Sequence, residues 1–159
     1  MKNKIKRSIV FLLVIALMFS LMVGLSGCSR YEFNKDDFRL VVTVDNAVVG
    51  VGDTVTVTAA FENLSGRRLR VRGMDAAIEN LEEFIMIMIV PYGQKVGFFP
   101  RPVGGRIRRF TLRRGVAVEI EKSQHFRYLG VYQVHAAVAF LINGEYVIIH
   151  AELKTINIV

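Results

Sequence analysis

The stretch VHAAVAFLINGEYVIIHAEL, residues 134 to 153, decides the fold of this chain. At its centre, Asn143-Gly144 is a strong signal for a two-residue β-hairpin, because both central residues of a type I′ turn need a positive φ. Folding the chain about this turn places apolar residues opposite one another on one face. The predicted pairs are Phe140 with Val147, Val138 with Ile149, Ala136 with Ala151 and Val134 with Leu153. A slip of one residue would expose the whole apolar set, so the pattern specifies the register.

Short strands separated by turn residues precede this hairpin. Period-two alternation predicts strands over residues 38–44, 54–61, 67–72, 106–112 and 116–120. Residues 84–90 are apolar at every position, which is typical of a strand covered on both faces. Residues 74–83 fit either a loop or one helical turn. Together these segments predict an all-β fold, an antiparallel β-sandwich of about 7–9 strands.

The entry to the long penultimate strand adds a resemblance to a known fold. Leu129-Gly130-Val131-Tyr132-Gln133-Val134 resembles the Gly-x-Tyr-x-Val segment of immunoglobulin-like domains, and residues 51–57 are similar to their second strand. The resemblance implies that Tyr132 is a corner tyrosine whose hydroxyl caps a nearby backbone group. The chain departs from antibody domains because it has no tryptophan and a single cysteine, so the predicted domain has no internal disulfide.

The N-terminus has the parts of an export signal. Four basic residues within the first seven positions precede a charge-free apolar run over residues 9–25. The run ends in Leu25-Ser26-Gly27-Cys28, which resembles the lipobox of bacterial lipoproteins. The resemblance implies that the Cys28 thiol is acylated and that the preceding peptide bond is cut. The predicted organisation is a signal peptide with a hydrophobic helix over residues 1–27, a short tether over 28–37 and the immunoglobulin-like domain over 38–159.

Two alternatives to this signal remain open. The run of about 17 residues is at the lower limit for an uncleaved transmembrane helix. A core helix of a cytosolic protein is the other alternative, although an all-apolar helix has no amphipathic face. With either a lipid anchor or an uncleaved helix, the domain is expected on the extracytoplasmic face of the cell membrane.

Length and charge limit the possible partners. Removing the signal leaves about 130 residues, enough for one domain with a proper core. Of the 21 basic residues, 17 remain beside all 14 acidic ones, so the formal charge falls from +7 to +3. This small excess is weak evidence for nucleic-acid binding, and no nucleic-acid partner is predicted. The expected partners are the lipid bilayer, through acylated Cys28, and an envelope protein or an anionic polymer.

No motif for catalysis or for a cofactor stands out, and the chain is predicted not to be an enzyme. The weak candidates for a metal site are His135, His150 and Glu152, which the predicted hairpin register places on its outer face with His135 opposite Glu152. A solvated His–Glu pair is the simpler interpretation. On the same face, Leu141, Ala139, Tyr146 and Ile148 form a small apolar patch. This patch is either a partner site or covered by the chain's own loops.

Arginine is the most unusual feature of the composition. Six arginines within 14 residues form the predicted contact with an anionic surface: Arg101, Arg106, Arg108, Arg109, Arg113 and Arg114. An earlier cluster consists of Arg67, Arg68, Arg70 and Arg72. Arginine binds phosphate in a bidentate manner, whereas solvated strand faces paired with nearby acidic residues are the simpler alternative.

These observations predict a membrane-anchored extracytoplasmic lipoprotein with a non-catalytic, immunoglobulin-like interaction domain. The alternative is a sandwich that inhibits proteinases, since residues 111–115 followed by Gly130-Val131-Tyr132 faintly resemble small bacterial inhibitors of that type. Such an inhibitor would need a protruding loop, for which residues 92–105 are the candidate. A metal-binding envelope protein is a third, weaker hypothesis.

Overall fold

The computed structural model describes residues 32 to 74, 79 to 97 and 108 to 159. The predicted signal peptide and Cys28 lie outside these residues. Phe33–Val159 forms one compact unit, and the buried apolar side chains among the described residues belong to it. The unit therefore carries its own hydrophobic core, as an independently folding domain does. None of the helices in the described residues has the length and apolar character needed to cross a bilayer.

The described residues form ten strands and two short 3-10 turns, Lys35–Asp37 and Glu82–Phe84. The strands are β1 (Phe38–Val44), β2 (Val48–Val49), β3 (Thr54–Asn63), β4 (Leu69–Arg72), β5 (Ile85–Pro91), β6 (Arg109–Leu112), β7 (Ala117–His125), β8 (Gly130–Ile142), β9 (Glu145–His150) and β10 (Lys154–Ile158). The predicted strands are all present; β1 has the predicted bounds, and the others have shifted ends. The second 3-10 turn lies at the end of the segment that fitted a loop or one helical turn.

Two sheets contain these strands. The first has the order β1-β3-β7, and the second has the order β2-β10-β8-β4-β6, with β5 and β9 also paired to β8. All pairs between strands are antiparallel except β2 with β10. The first, third and seventh strands thus share one sheet, while β5, β8, β9 and β10 share the other. This division is that of an immunoglobulin-like sandwich, and it confirms the predicted fold class.

Aromatic side chains join the two sheets in the core. Phe38 and Phe61 of the first sheet stack with ring centroids 5.9 Å apart, and Phe140 of the second sheet contacts both of them at 5.2 and 5.8 Å. The alternation predicted for β1 and β3 is observed, because their apolar sets point inward. Offset and edge-on ring pairs of this kind stabilise a core beyond their buried area.

Strand β8 is the central strand of the second sheet. Along one edge, its first part pairs with β10 and its last part with β9. Along the other edge, most of its length pairs with β5 and its last two residues pair with β4. The predicted hairpin with β9 is confirmed: Phe140 faces Val147 and Val138 faces Ile149. Positive φ angles of 53° at Asn143 and 87° at Gly144 form its turn.

The predicted register holds through Ala151, whose amide donates to the Ala136 carbonyl at 3.0 Å, and it is wrong beyond that residue. Val134 faces Lys154 instead of Leu153, because one extra residue is accommodated between β9 and β10. Such an insertion is a β-bulge, and it reverses the parity of everything that follows. Leu153, predicted in the core, is accordingly 51% exposed, while Ile156 and Ile158 are buried in its place.

The corner tyrosine implied by the immunoglobulin resemblance is present. The Tyr132 hydroxyl donates to the backbone carbonyl of Tyr128 at 3.5 Å, four residues upstream. Its ring packs edge-on against buried Phe126, with centroids 4.8 Å apart. This contact fixes the entry of the chain into β8, at the end of the sandwich opposite the Asn143-Gly144 turn.

Candidate functional site

The chain enters the domain at one particular end of the sandwich, here called the entry end. Phe38 begins β1 opposite Asn63, the last residue of β3, and the Asp37 carbonyl accepts a 2.7 Å hydrogen bond from the Leu64 amide. Phe38 also contacts Phe140, three residues before the Asn143-Gly144 turn. The β3–β4 connection and the β8–β9 turn therefore lie at the same end as residues 33–38.

A single buried amide organises the entry end. Asn63, 2% exposed, donates from Nδ2 to the Arg67 carbonyl at 2.8 Å and to the Leu112 carbonyl at 3.2 Å. Its Oδ1 accepts from the Ser65 amide at 3.1 Å and from the Ser65 hydroxyl at 2.6 Å. Because one side chain satisfies groups from the turn after β3 and from the end of β6, it fixes both segments. The sequence marked Asn63 only as a turn residue.

Asn63→Ala is expected to lower the free energy of unfolding by about 2 kcal/mol, since it leaves buried backbone groups unsatisfied. Asn46→Ala is the matched control: Asn46 is exposed, its Oδ1 accepts one bond from the Val48 amide at 3.2 Å, and its loss should cost less than about 1 kcal/mol. Urea denaturation of both variants measures the difference. Equal destabilisation would show that Asn63 does not organise this end.

Strand pairing brings the two arginine clusters together at the entry end. In the β4–β6 pair, Arg72 lies directly opposite Arg109, and Arg70 lies opposite Thr111. Residues directly opposite share a face of the sheet, so these three arginines occupy one face, while Leu69, Val71 and Leu112 are buried on the other. The sequence predicted two separate clusters, and nothing in it indicated their meeting.

The three arginines line an open pocket of about 390 Å³, here called the arginine pocket. Its lining consists of Arg70, Val71, Arg72, Arg109, Leu141, Asn143 and Gly144. No carboxylate is among these residues, and the ion pairs found in the described part of the chain lie elsewhere. The pocket is therefore strongly cationic, with an apolar contribution from Leu141.

Tyr146 lies beside the arginine pocket, opposite Leu141 on the same face. Desolvation raises the pKa of its phenol above the ordinary value of 10.0. Tyr146 therefore stays neutral at physiological pH and adds no negative charge near the arginines. The predicted apolar patch is partly realised here: Leu141 and Ile148 are half-buried, whereas Ala139 is buried between its neighbouring strands.

The other predicted arginines have different surroundings. Arg108 is exposed and lies 3.8 Å from Glu79. Arg113 lines a separate cavity of about 430 Å³ that Glu82 and Glu119 also line. Arg114 is exposed beside the end of β3, where its backbone forms an isolated parallel β-bridge with that of Asn63. Arg101 and Arg106 lie outside the described residues.

The predicted grouping of His135, His150 and Glu152 is not formed as expected. His150 faces Ala137 in the hairpin, but the bulge ends this register before Glu152. His135 lies on β8, where it faces Met88 of the neighbouring strand β5. Among the residues that the structure describes, no three His, Cys, Asp or Glu side chains are grouped so as to hold a metal ion.

Comparisons with known proteins give structural similarity at a low level. No family model and no curated protein sequence matches the chain. Among solved structures, the chain is similar to the alkylpurine DNA glycosylase AlkC of Pseudomonas fluorescens bound to DNA, with 16% identity, a TM-score of 0.41, and coverage of 77% of this chain and 30% of that one. It is also similar to a CARDB domain of Pyrococcus furiosus in complex with di-metal ions, with 14% identity, a TM-score of 0.41, and coverage of 82% and 97%.

A third similar structure is the sporulation control protein Spo0M of Bacillus subtilis, with 10% identity and a TM-score of 0.40. The alignment covers 77% of this chain and 49% of that one, so the chain spans less than half the length of both Spo0M and the glycosylase. The assignment of this chain to the immunoglobulin-like sandwiches follows from its own strand order and corner tyrosine.

Proposed function

We propose that this chain is a lipid-anchored protein of the bacterial cell envelope, tethered through acylated Cys28, whose non-catalytic domain works by contacting an anionic surface. The observation that carries the proposal is the position of the arginines. The domain begins at Phe33 and β1 begins at Phe38, at the same end of the sandwich as Arg68, Arg70, Arg72, Arg109 and Arg114. A chain tethered before this point holds the cationic end next to its anchor.

The length of the tether supports this orientation. Nine residues between Cys28 and Phe38 reach at most about 30 Å even when fully extended. Residues 35–37 already form a 3-10 turn, which Asn34 caps, and this turn shortens the reach. The domain is therefore expected to stay near the membrane surface. Each basic residue there contributes about 1 kcal/mol of attraction to an anionic surface, which makes the distribution of charge more important than the net value of +3 for the exported chain.

The test of this orientation, with the entry end facing the membrane, uses the soluble domain, residues 29–159. It measures the binding of this domain to vesicles that contain phosphatidylglycerol. Binding should weaken steeply between 0.1 M and 1 M salt, because the Debye length falls from about 10 Å to about 3 Å. Replacing Arg68 and Arg114 by glutamine should weaken binding about 30-fold at low salt, at about 1 kcal/mol for each charge.

The matched control replaces Lys95 and Arg127, which are exposed and lie towards the opposite end of the sandwich. This variant loses the same two charges, but it should bind nearly as well as the wild type. Equal weakening by both variants would show that net charge rather than orientation governs binding. Binding that does not depend on salt would contradict the electrostatic contact itself.

A further inference from the structure

We propose that the arginine pocket is a binding site for a single phosphate group of a phosphoester. The proposal rests on the proposed function for the origin of the ligand, since envelope surfaces are rich in phosphoesters. The chemistry of the pocket does not depend on the lipid anchor. Two sources offer the same group: the headgroup of an anionic phospholipid and the repeating phosphate of an envelope polymer.

Backbone pairing places the three arginines of this pocket side by side on one face of the sheet. Arg70 and Arg72 alternate on β4, and Arg109 faces Arg72 from β6. Both strands are fixed from behind by buried Leu69, Val71 and Leu112, and Asn63 binds the Leu112 carbonyl. Like charges directly opposite one another destabilise a strand pair. A monoanionic or dianionic ligand bound between Arg72 and Arg109 would offset the repulsion between their charges.

Phosphate fits this arrangement better than a carboxylate or a nucleic acid. One arginine fork already saturates a carboxylate, whereas a phosphate presents several oxygens that accept from more than one guanidinium. A volume of about 390 Å³ is in the range of small-molecule sites. The described residues that line the pocket include no aromatic ring on which a base could stack. Leu141 supplies an apolar wall suited to the carbon skeleton of a small alcohol.

The test measures binding of glycerol 1-phosphate to the purified full chain in a neutral detergent, by calorimetry. We expect saturable binding with one site. Arg72→Gln should weaken it about tenfold or more, because it removes charge-assisted hydrogen bonds. Arg72→Lys should also weaken binding several-fold, because lysine keeps the charge but loses the bidentate fork.

Arg68→Gln is the matched control, since Arg68 is exposed at the same end but does not line the pocket. It should bind glycerol 1-phosphate within about twofold of the wild type, as expected for a charge lost at a screened distance. Equal weakening by Arg68→Gln and Arg72→Gln would overturn the proposal, and so would wild-type binding by Arg72→Lys. Absence of binding by the wild-type chain would overturn it as well.

Two phosphodiesters, glycerophosphoglycerol and dihexanoyl phosphatidylglycerol, distinguish the two sources, because they differ only in the acyl chains. Tighter binding of the lipid than of glycerophosphoglycerol, again lost in Arg72→Gln, would support the pocket and assign it to a lipid headgroup. Equal affinities would support the pocket and show that the acyl chains do not contribute, which would assign the pocket to the repeating phosphate of an envelope polymer. Because these measurements need neither acylation nor a membrane, a failure of the lipid anchor would leave their result unchanged.

Discussion

Val138→Asp is expected to unfold the domain or to lower its free energy of unfolding by several kcal/mol. Val138 is fully buried, and it faces Ile85 of β5 on one side and Ile149 of β9 on the other. No partner for a charge exists among these apolar neighbours, so the carboxylate would be buried unpaired or would have to take up a proton. Total stabilities of about 5–15 kcal/mol leave little margin for such a loss.

Gln133→Asp is the control for this prediction. Gln133 lies on the same strand with the opposite parity, half-buried, facing Thr155 of β10. Its replacement should change the stability by less than about 1 kcal/mol. Thermal and urea denaturation of the two variants, followed by circular dichroism, give the comparison. Similar losses in both would contradict the assignment of the two faces of β8.

Cys28→Ala is expected to abolish acylation and to leave an unprocessed precursor held in the membrane by its signal. The thiol is the group that the lipobox resemblance assigns to the lipid, and Cys28 is the only cysteine of the chain. No other side chain can therefore take over the thioether. Metabolic labelling with a palmitate analogue, combined with mass spectrometry of the membrane fraction, measures both modification and cleavage.

Ser29→Ala provides the neighbouring control, because it keeps the thiol and changes only the following residue. It should be labelled and processed as the wild type is. Recovery of an intact chain of 159 residues from wild-type cells would contradict the lipoprotein hypothesis and favour the uncleaved helix.

Local sequence signals predicted the central part of the fold well. Asn143-Gly144 specified the turn and, with it, the pairs from Phe140 to Ile149, because turn chemistry and apolar alternation agreed. Tyr132 was placed correctly because its role depends on a contact only four residues away. Structural features that depend on residues close together in the chain are the ones that a sequence predicts most directly.

The bulge after Ala151 marks the point at which apolar alternation counted from the turn no longer gives the register. The apolar set changes parity between Leu153 and Ile156, and this change was the signal for an inserted residue. Alternation counted from the turn does not reveal this insertion, because Leu153 still fits the earlier parity. The inserted residue falls at Glu152 and Leu153, so the regular cross-strand pairing predicted for His135 with Glu152 is interrupted there.

The arginine pocket could not be predicted from local patterns. Arg72 and Arg109 are separated by 36 intervening residues, and β5 lies between their strands in the chain. Both strands are four residues long, so their alternation says which side chains point outward but not which strand lies beside which. Only the pairing of β4 with β8 and with β6 determines that the two clusters meet.

A contact between the two sheets, from Lys122 of β7 to strand β5, has a consequence for self-association. Within the described chain, β5 pairs with β8 alone, and its residues before the final Pro91 are isoleucines, methionines and a valine, which are uncharged and include several β-formers. Segments of this composition template amyloid-like stacking when their edge is open. The Lys122 ammonium crosses from the other sheet and donates to the Ile87 carbonyl at 3.1 Å. A charged side chain thus occupies one backbone acceptor of this strand, and we expect Lys122→Ala to raise the tendency of the domain to self-associate.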